Sequence, residues 1–259
     1  ASGASGARYK LITRDELAEF EPGANGEPPW LAAYQGETAL ATALITVLRD
    51  KAAEVCFTFG HGEAAIDDSS GDGLSDLADA VRRDGMSVRA LDGATFTGCD
   101  AVVSAGPQRA FTPEEAAALS RYLDGGGRLL LLLGPLLDPA VTRFAESGLE
   151  DLLRARGVRP SQSVVVDPER RLGESPAFVV DDGYEAHPIT ERFPGRRTLW
   201  TLARPVRALP VPPLSDGAQW KAVEIVKAGE RSFGETDLAS LRASRAVVGD
   251  GDERGPVPL

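Results

Sequence analysis

The chain contains only two histidines, His61 and His187. One of them has a carboxylate two residues on, in the run Gly60-His61-Gly62-Glu63. An imidazole next to a carboxyl group is a pair that can pass a proton or grip a polar ligand. A second polar turn, Ser104-Ala105-Gly106-Pro107, follows a run of small and β-branched residues. A third stretch, His187-Pro188-Ile189-Thr190, places its histidine before proline and so in extended backbone. The candidate rim is therefore Gly60, His61, Gly62, Glu63, Ser104, Gly106 and Pro107.

Each of these motifs also has a plainer reading. Gly60-His-Gly-Glu-Ala-Ala65 fits the dinucleotide fingerprint G-x-G-x-x-A. That fingerprint needs a helix opening on the turn. Here a loop intervenes, with Asp67, Asp68 and Asp72 where a phosphate would be repelled. Asp68-x-Ser70-x-Asp72-Gly73 spaces its oxygens like the start of a calcium loop, with Asp76 and Asp79 further on. The twelfth place lacks the usual Glu and no helix precedes the loop, so a solvated acidic loop is the simpler reading. Ser104 ends a strand as hydrolase nucleophiles do, but V-S-A-G-P lacks the G-x-S-x-G elbow, which leaves a small residue packed beneath a turn. Two histidines and two cysteines, without further ligands at metal spacing, make no zinc site, and no cofactor is implied.

The elements that must position these residues follow from periodicity. Val55–Phe59 is β-branched and aromatic and reads as a buried strand running into the glycine turn. Gly36–Arg49 and Leu74–Arg83 carry apolar residues at helical spacing, and Gly85 caps the second of these helices. Ser87–Leu91 and Asp100–Ser104 are short strands. Thr112-Pro-Glu-Glu115 predicts a helix start with Thr112 as N-cap, Pro113 at the first position and Glu115 closing a capping box. That helix stops near Leu123, before Gly125-Gly-Gly127. The leucine run 129–133 lies between glycines, has strand length, and is expected to be covered on both faces. A helix over 149–156 and strands near 164–167, 177–180, 198–202 and 222–226 complete the pattern. A Pro-rich crossing spans 209–213, and the chain is weakly patterned beyond Ser232.

This alternation predicts an α/β three-layer sandwich, flavodoxin-like through residue 167, with a mostly parallel sheet. Strands 55–59, 87–91, 100–104, 129–133 and 163–166 should be parallel, with 55–59 between 87–91 and 100–104. Ligands of such sheets meet the carboxyl ends of the strands, which puts the three glycine- and proline-bearing turns on one rim. Residues 1–35, with Ala1-Ser-Gly-Ala-Ser-Gly6 and the Pro/Gly-rich 21–29, read as an extension or linker. Residues 36–259 read as a single α/β domain whose C-terminal part is irregular and truncated.

Composition limits the partners. At 259 residues and a formal charge of −11, with no block of Lys or Arg, the chain lacks the basic patch that nucleic acid or an anionic membrane surface requires. No apolar run approaches the roughly 20 residues of a membrane helix.

Taken together, F-T-F-G-H-G-E at 57–63, S-A-G-P at 104–107, Thr112-Pro-Glu-Glu115 leading to Gly125-Gly-Gly127 and the leucine strand, and His187-Pro-Ile-Thr190 resemble the ABC-transporter auxiliary family that includes the gliding-motility component of GldG type. The resemblance covers roughly residues 36 to 259. It implies an extracytoplasmic, periplasmic domain of a membrane-anchored bacterial protein, with a fold similar to class I glutamine amidotransferases and to an intraflagellar-transport protein. It implies partnership with transporter membrane and ATPase subunits, a small-molecule or saccharide ligand, no catalysis, and His187 as a further member of the rim. The amidotransferase relatives carry a nucleophilic cysteine where this chain has Ser104-Ala105-Gly106-Pro107. The competing expectation is a hydrolase or sugar-processing enzyme of that fold using His61, Glu63 and His187. An extracytoplasmic location would permit Cys56 and Cys99 to bridge if strands 55–59 and 100–104 are parallel neighbours.

Overall fold

The computed structural model describes residues 10–21, 28–48, 52–138, 140, 142–173, 177–193, 195–210 and 220–259. The first six residues, most of the 21–29 stretch and the last three residues of the Pro-rich crossing at 209–213 lie outside the described residues. The chain divides into two compact units. The first comprises residues 1–59, 64–103 and 126–130, and the second comprises 60–63, 104–125 and 131–259.

The first unit opens with a short helix, α1 (Arg14–Leu17), capped by Thr13 and Glu16 in a full capping box. Two strands of the expected linker, β1 (Ala18–Glu21) and β2 (Trp30–Tyr34), pair antiparallel. Helix α2 (Gly36–Leu48) then leads into β3 (Glu54–Phe59), whose residues Val55 to Thr58 are buried. Helix α3 (Ser75–Arg83) buries Ala78 and is followed by Gly85 at φ 77°, the left-handed stop expected from its position. β4 (Ser87–Asp92) and β5 (Ala101–Ala105) both pair parallel with β3, in register Val55↔Val88 and Val55↔Ala101. With β6 (Leu129–Leu132) they form a four-stranded sheet in the order β4-β3-β5-β6. β3 is thus interior, between the two strands expected to flank it. Cys56 on β3 and Cys99 just before β5 form a disulfide with Cα atoms 5.7 Å apart.

In the second unit, helix α4 (Pro113–Asp124) starts as the sequence predicts. Thr112 accepts from the Glu115 N–H, and the Glu115 carboxylate accepts from the Thr112 N–H. Helix α5 (Glu150–Ala155) ends at Gly157, φ 79°. After it come only short strands: β7 (Val158–Pro160), β8 (Val164–Val166), β9 (Phe178–Val180), β10 (Thr198–Trp200), β11 (Val206–Ala208), β12 (Phe233–Glu235) and β13 (Glu253–Arg254), with helix α6 (Leu238–Arg242) between the last two. Their pairings are all antiparallel: β7 with β11, β9 with β10, and β8-β12-β13 in one small sheet. Val165, Phe178, Val180, Ala203, Val226, Ala228 and Val257 make a buried apolar cluster among them.

Three expectations are corrected. The strand at 163–166 is not the fifth parallel strand. It pairs antiparallel with Phe233–Glu235, a partner supplied from a stretch with no readable pattern, so the parallel sheet stops at four strands. The leucine strand is not covered on both faces. It lies at the sheet edge, and Leu130 and Leu132 are 47% and 46% exposed. Residues 222–226 form no strand, only an isolated bridge from Val226 to Tyr184. The architecture is mixed α/β, with parallel pairing confined to the four-stranded sheet among the described residues. No helix among them is long and apolar enough to cross a membrane.

Candidate functional site

The turn Gly60–Glu63 follows β3 directly. Gly60 and Gly62 have φ of 116° and 82°, a region that residues with a Cβ adopt at a cost, so the two glycines let the chain fold back at once. Glu63 closes the turn on itself. Its Oε2 accepts the His61 backbone N–H at 2.7 Å, and its Oε1 lies 3.4 Å from His61 Nδ1. The Glu63 side chain is fully buried. His61 Nδ1 is buried without a hydrogen-bond partner.

The other side of the imidazole faces the second loop and α4. Nε2 is 3.1 Å from Glu115 Oε2, and the ring stacks on Phe111 with centroids 4.2 Å apart. The His61 carbonyl accepts the N–H groups of Gln108 and Arg109 at 2.8 and 3.0 Å. The Arg109 guanidinium donates to the Gly60 carbonyl, and the Gln108 amide donates to the Gly106 carbonyl at 3.0 Å. Glu115 is held below the usual carboxylate range, first by the Thr112 N–H it accepts and further by His61, against the opposing effect of burial. The turn, the loop 106–111 and the cap of α4 thus form one hydrogen-bonded cluster inside the second unit.

This geometry limits the chemistry. His61 is packed between a phenyl ring and two carboxylates, and a neutral imidazole can donate to only one of them. Glu63 is engaged by its own turn. What the cluster leaves at the surface is the backbone of Gly60 and Gly62 and the side chains of Gln108 and Arg109. Those are exposed hydrogen-bond donors and acceptors around a hydrogen-bonded centre.

The remaining predicted residues divide. Gly106, φ 67°, and the buried Pro107 belong to the cluster through the loop they open. Ser104 is 2% exposed, with its hydroxyl unpartnered, beneath that loop. It is packed as a small residue and is not presented as a nucleophile. His187 stands apart: its Nδ1 accepts the Ile189 N–H and its carbonyl accepts the Thr190 N–H. None of its described partners belongs to the Gly60–Glu63 turn. Helix α3 opens only at Ser75, so the next helix in the chain does not start on the Gly60–Glu63 turn as the dinucleotide fingerprint requires. Among the described residues no group of three His, Cys, Asp or Glu is placed to hold a metal.

Four cluster residues were not among the predicted site residues: Gln108, Arg109, Phe111 and Glu115. Glu115 carries a readable signal as a capping-box residue. That signal speaks only of the helix and is silent about an imidazole 54 positions earlier.

A family described as an ABC-type uncharacterized transport system matches residues 52–200, more than half of the chain and the whole of the turn, loop and cap. Among solved structures, one titled "mmIFT52 N-terminal domain" aligns with a TM-score of 0.52 at 20% identity, covering 70% of this chain and 79% of that one. At that identity the likeness concerns the fold alone. No curated protein matches the chain.

Proposed function

The chain belongs to the ABC-type uncharacterized transport system family, and from that premise we propose that it is a non-catalytic, extracytoplasmic binding domain of a transporter auxiliary protein. Membership ties it to an ABC transport system. The finer reading is that, within a membrane-anchored protein, it binds transporter membrane and ATPase subunits together with a small-molecule or saccharide ligand. Systems of this kind serve transport or gliding motility.

One observation carries the non-catalytic part. The Glu63 carboxylate accepts the His61 backbone N–H at 2.7 Å, while His187 is engaged in its own turn. A general acid–base pair needs its groups within hydrogen-bond reach of a substrate proton, and here the carboxylate is spent on its own backbone. The rival reading, a hydrolase or sugar-processing enzyme using His61, Glu63 and His187, needs three converging groups. The Cys56–Cys99 bridge supports the extracytoplasmic placement, because disulfides persist in oxidising compartments.

The test is affinity capture of the full-length protein from detergent-solubilised membranes. The expected result is co-purification of transporter membrane and ATPase subunits, identified by mass spectrometry. Capture that brings down neither kind of subunit overturns the reading.

A further inference from the structure

Helix α2 turns its small residues inward and its large ones outward. Ala43 is buried and Ala39, Thr42 and Val47 are half-buried, whereas Leu40, Leu44, Ile45 and Leu48 are exposed, Leu40 and Leu44 at 61% and Leu48 at 72%. A surface helix ordinarily buries its leucines and turns charge to water. Here Glu37 is the one charged residue in thirteen. Leu40, Leu44 and Leu48 recur at every fourth position and so form one continuous ridge. Tyr34, also 72% exposed, lies at the head of that ridge: its ring occupies the place a Cβ would take at Gly36, four residues before Leu40. Trp30 and Leu31 on β2 are more than half exposed as well.

The size of this surface and its lack of charge point to its occupant. Seven large side chains, each at least half exposed, offer on the order of 700 Å2 at roughly 100 Å2 apiece. The largest apolar patch of a monomer is typically about 300–600 Å2, whereas a stable dimer buries roughly 800 Å2 of each partner. Two ridges of fourth-position residues interdigitate when their helices cross at about −50°, the commonest packing between helices. A two-fold axis through Leu44 sets the α2 ridge against its own copy, with no charge on either side to repel the other. A membrane fits less well. Thirteen residues rise only about 20 Å, short of a bilayer, and a helix lying in the interface carries Lys or Arg on its polar face, which α2 lacks.

We propose that this face is a dimer interface, in which the α2 ridge packs on the α2 ridge of a second copy of the chain about a two-fold axis at Leu44, with Tyr34 at the end of the contact. The surface lies wholly within the first unit and shares no residue with the His61 cluster. Dimerisation neither requires nor excludes the capture of transporter subunits.

Sedimentation velocity on the full chain, from about 1 to about 100 µM, should show a monomer–dimer equilibrium. Leu44→Glu sets two like charges together at the axis and should raise the dissociation constant at least about tenfold. Ile189→Glu, comparably exposed but outside the face, should leave it unchanged. Leu44→Cys should give a covalent dimer on mild oxidation, because the axis brings position 44 against its own copy, and Ile189→Cys should not. If Leu44→Glu does not fold, the cross-link decides the matter. A chain that stays monomeric at about 100 µM, a dissociation constant unmoved by Leu44→Glu, or the absence of a cross-link through Leu44→Cys overturns the proposal. A monomeric chain that floats with phosphatidylglycerol vesicles, or that loses capture of transporter subunits on Leu44→Glu, gives the face to lipid or to the transporter and overturns the dimer.

Discussion

His61 Nε2 lies 3.1 Å from Oε2 of Glu115, the oxygen that also accepts the Thr112 N–H at 2.7 Å to cap α4. One carboxylate therefore serves both a helix end and an imidazole from a distant turn. The cap is a local device, satisfying an N–H that the helix geometry leaves without a partner. The imidazole contact turns it into a clamp, because the His61 carbonyl in turn accepts from Gln108 and Arg109. The turn after β3 and the start of α4 are thereby tied to each other.

Glu115→Ala should therefore cost more than a helix cap alone. Losing a cap typically costs about 1 kcal/mol, and the His61 contact adds to that. Glu115→Gln keeps an oxygen for the Thr112 N–H and should cost less. The two variants should also differ from wild type in their pH dependence. The folded-state pKa of Glu115 is lowered from its ordinary 4.5, so its contribution is full above that value and is lost as pH falls through the lowered one. In urea titrations the gap between wild type and Glu115→Gln should be constant at neutral pH and should close in acid. A gap that widens in acid contradicts this account of the clamp.

The disulfide makes a second claim. Cys56 and Cys99 are 43 residues apart in sequence, and cross-linking a loop of that size typically stabilises by about 2–4 kcal/mol. Unreduced protein, once denatured, should show no free thiol. Adding a reductant, or making the Cys56→Ser, Cys99→Ser double variant, should lower the denaturation midpoint accordingly. Arg89 Nη2 lies 3.3 Å from both sulfurs and its Nε donates to Glu54, so the arginine should remain ordered in the oxidised form. Two thiols titrating in the denatured, unreduced protein refute the bridge.

Local rules were the legible part of this chain. Thr112, Pro113 and Glu115 write a helix start in four residues, and α4 begins there. The β-branched and aromatic run 55–59 wrote an interior strand, and β3 is one. Long-range pairing was not legible. Phe233-Gly234-Glu235 has neither alternation nor length to mark it as a strand, yet it pairs with Val164–Val166 and takes that strand out of the parallel sheet. Gly234 explains part of the silence: a Cβ there would come within 2.8 Å of the Ser163 hydroxyl, so close approach requires the residue least informative about strands. In the candidate site, the glycines marked a turn where the chain leaves its strand at once, and Gly60 and Gly62 have the positive φ that such a turn needs. They did not reveal that the carboxylate faces inward, because a pattern of residue types carries no orientation.

That orientation separates two roles within the cluster, and two sets of substitutions should tell them apart. His61→Ala combined with Glu63→Ala removes the buried centre. The Gly60–Glu63 turn loses its internal acceptor and the Phe111 ring loses its stacking partner, so stability should fall by on the order of 1–3 kcal/mol for each polar group left unpaired. Arg109→Ala removes an exposed guanidinium whose described partner is the Gly60 carbonyl, a group at the surface where water can replace it. Its effect on stability should stay within about 0.5 kcal/mol. Capture of transporter subunits by the full-length protein should respond in the opposite proportion. Arg109→Ala should reduce it while the melting temperature holds, and the double variant should reduce it only as far as the folded fraction falls. If Arg109→Ala leaves capture intact and the double variant abolishes it at an unchanged melting temperature, then recognition runs through the imidazole and carboxylate themselves. The centre of the cluster would then be the contact and not its support.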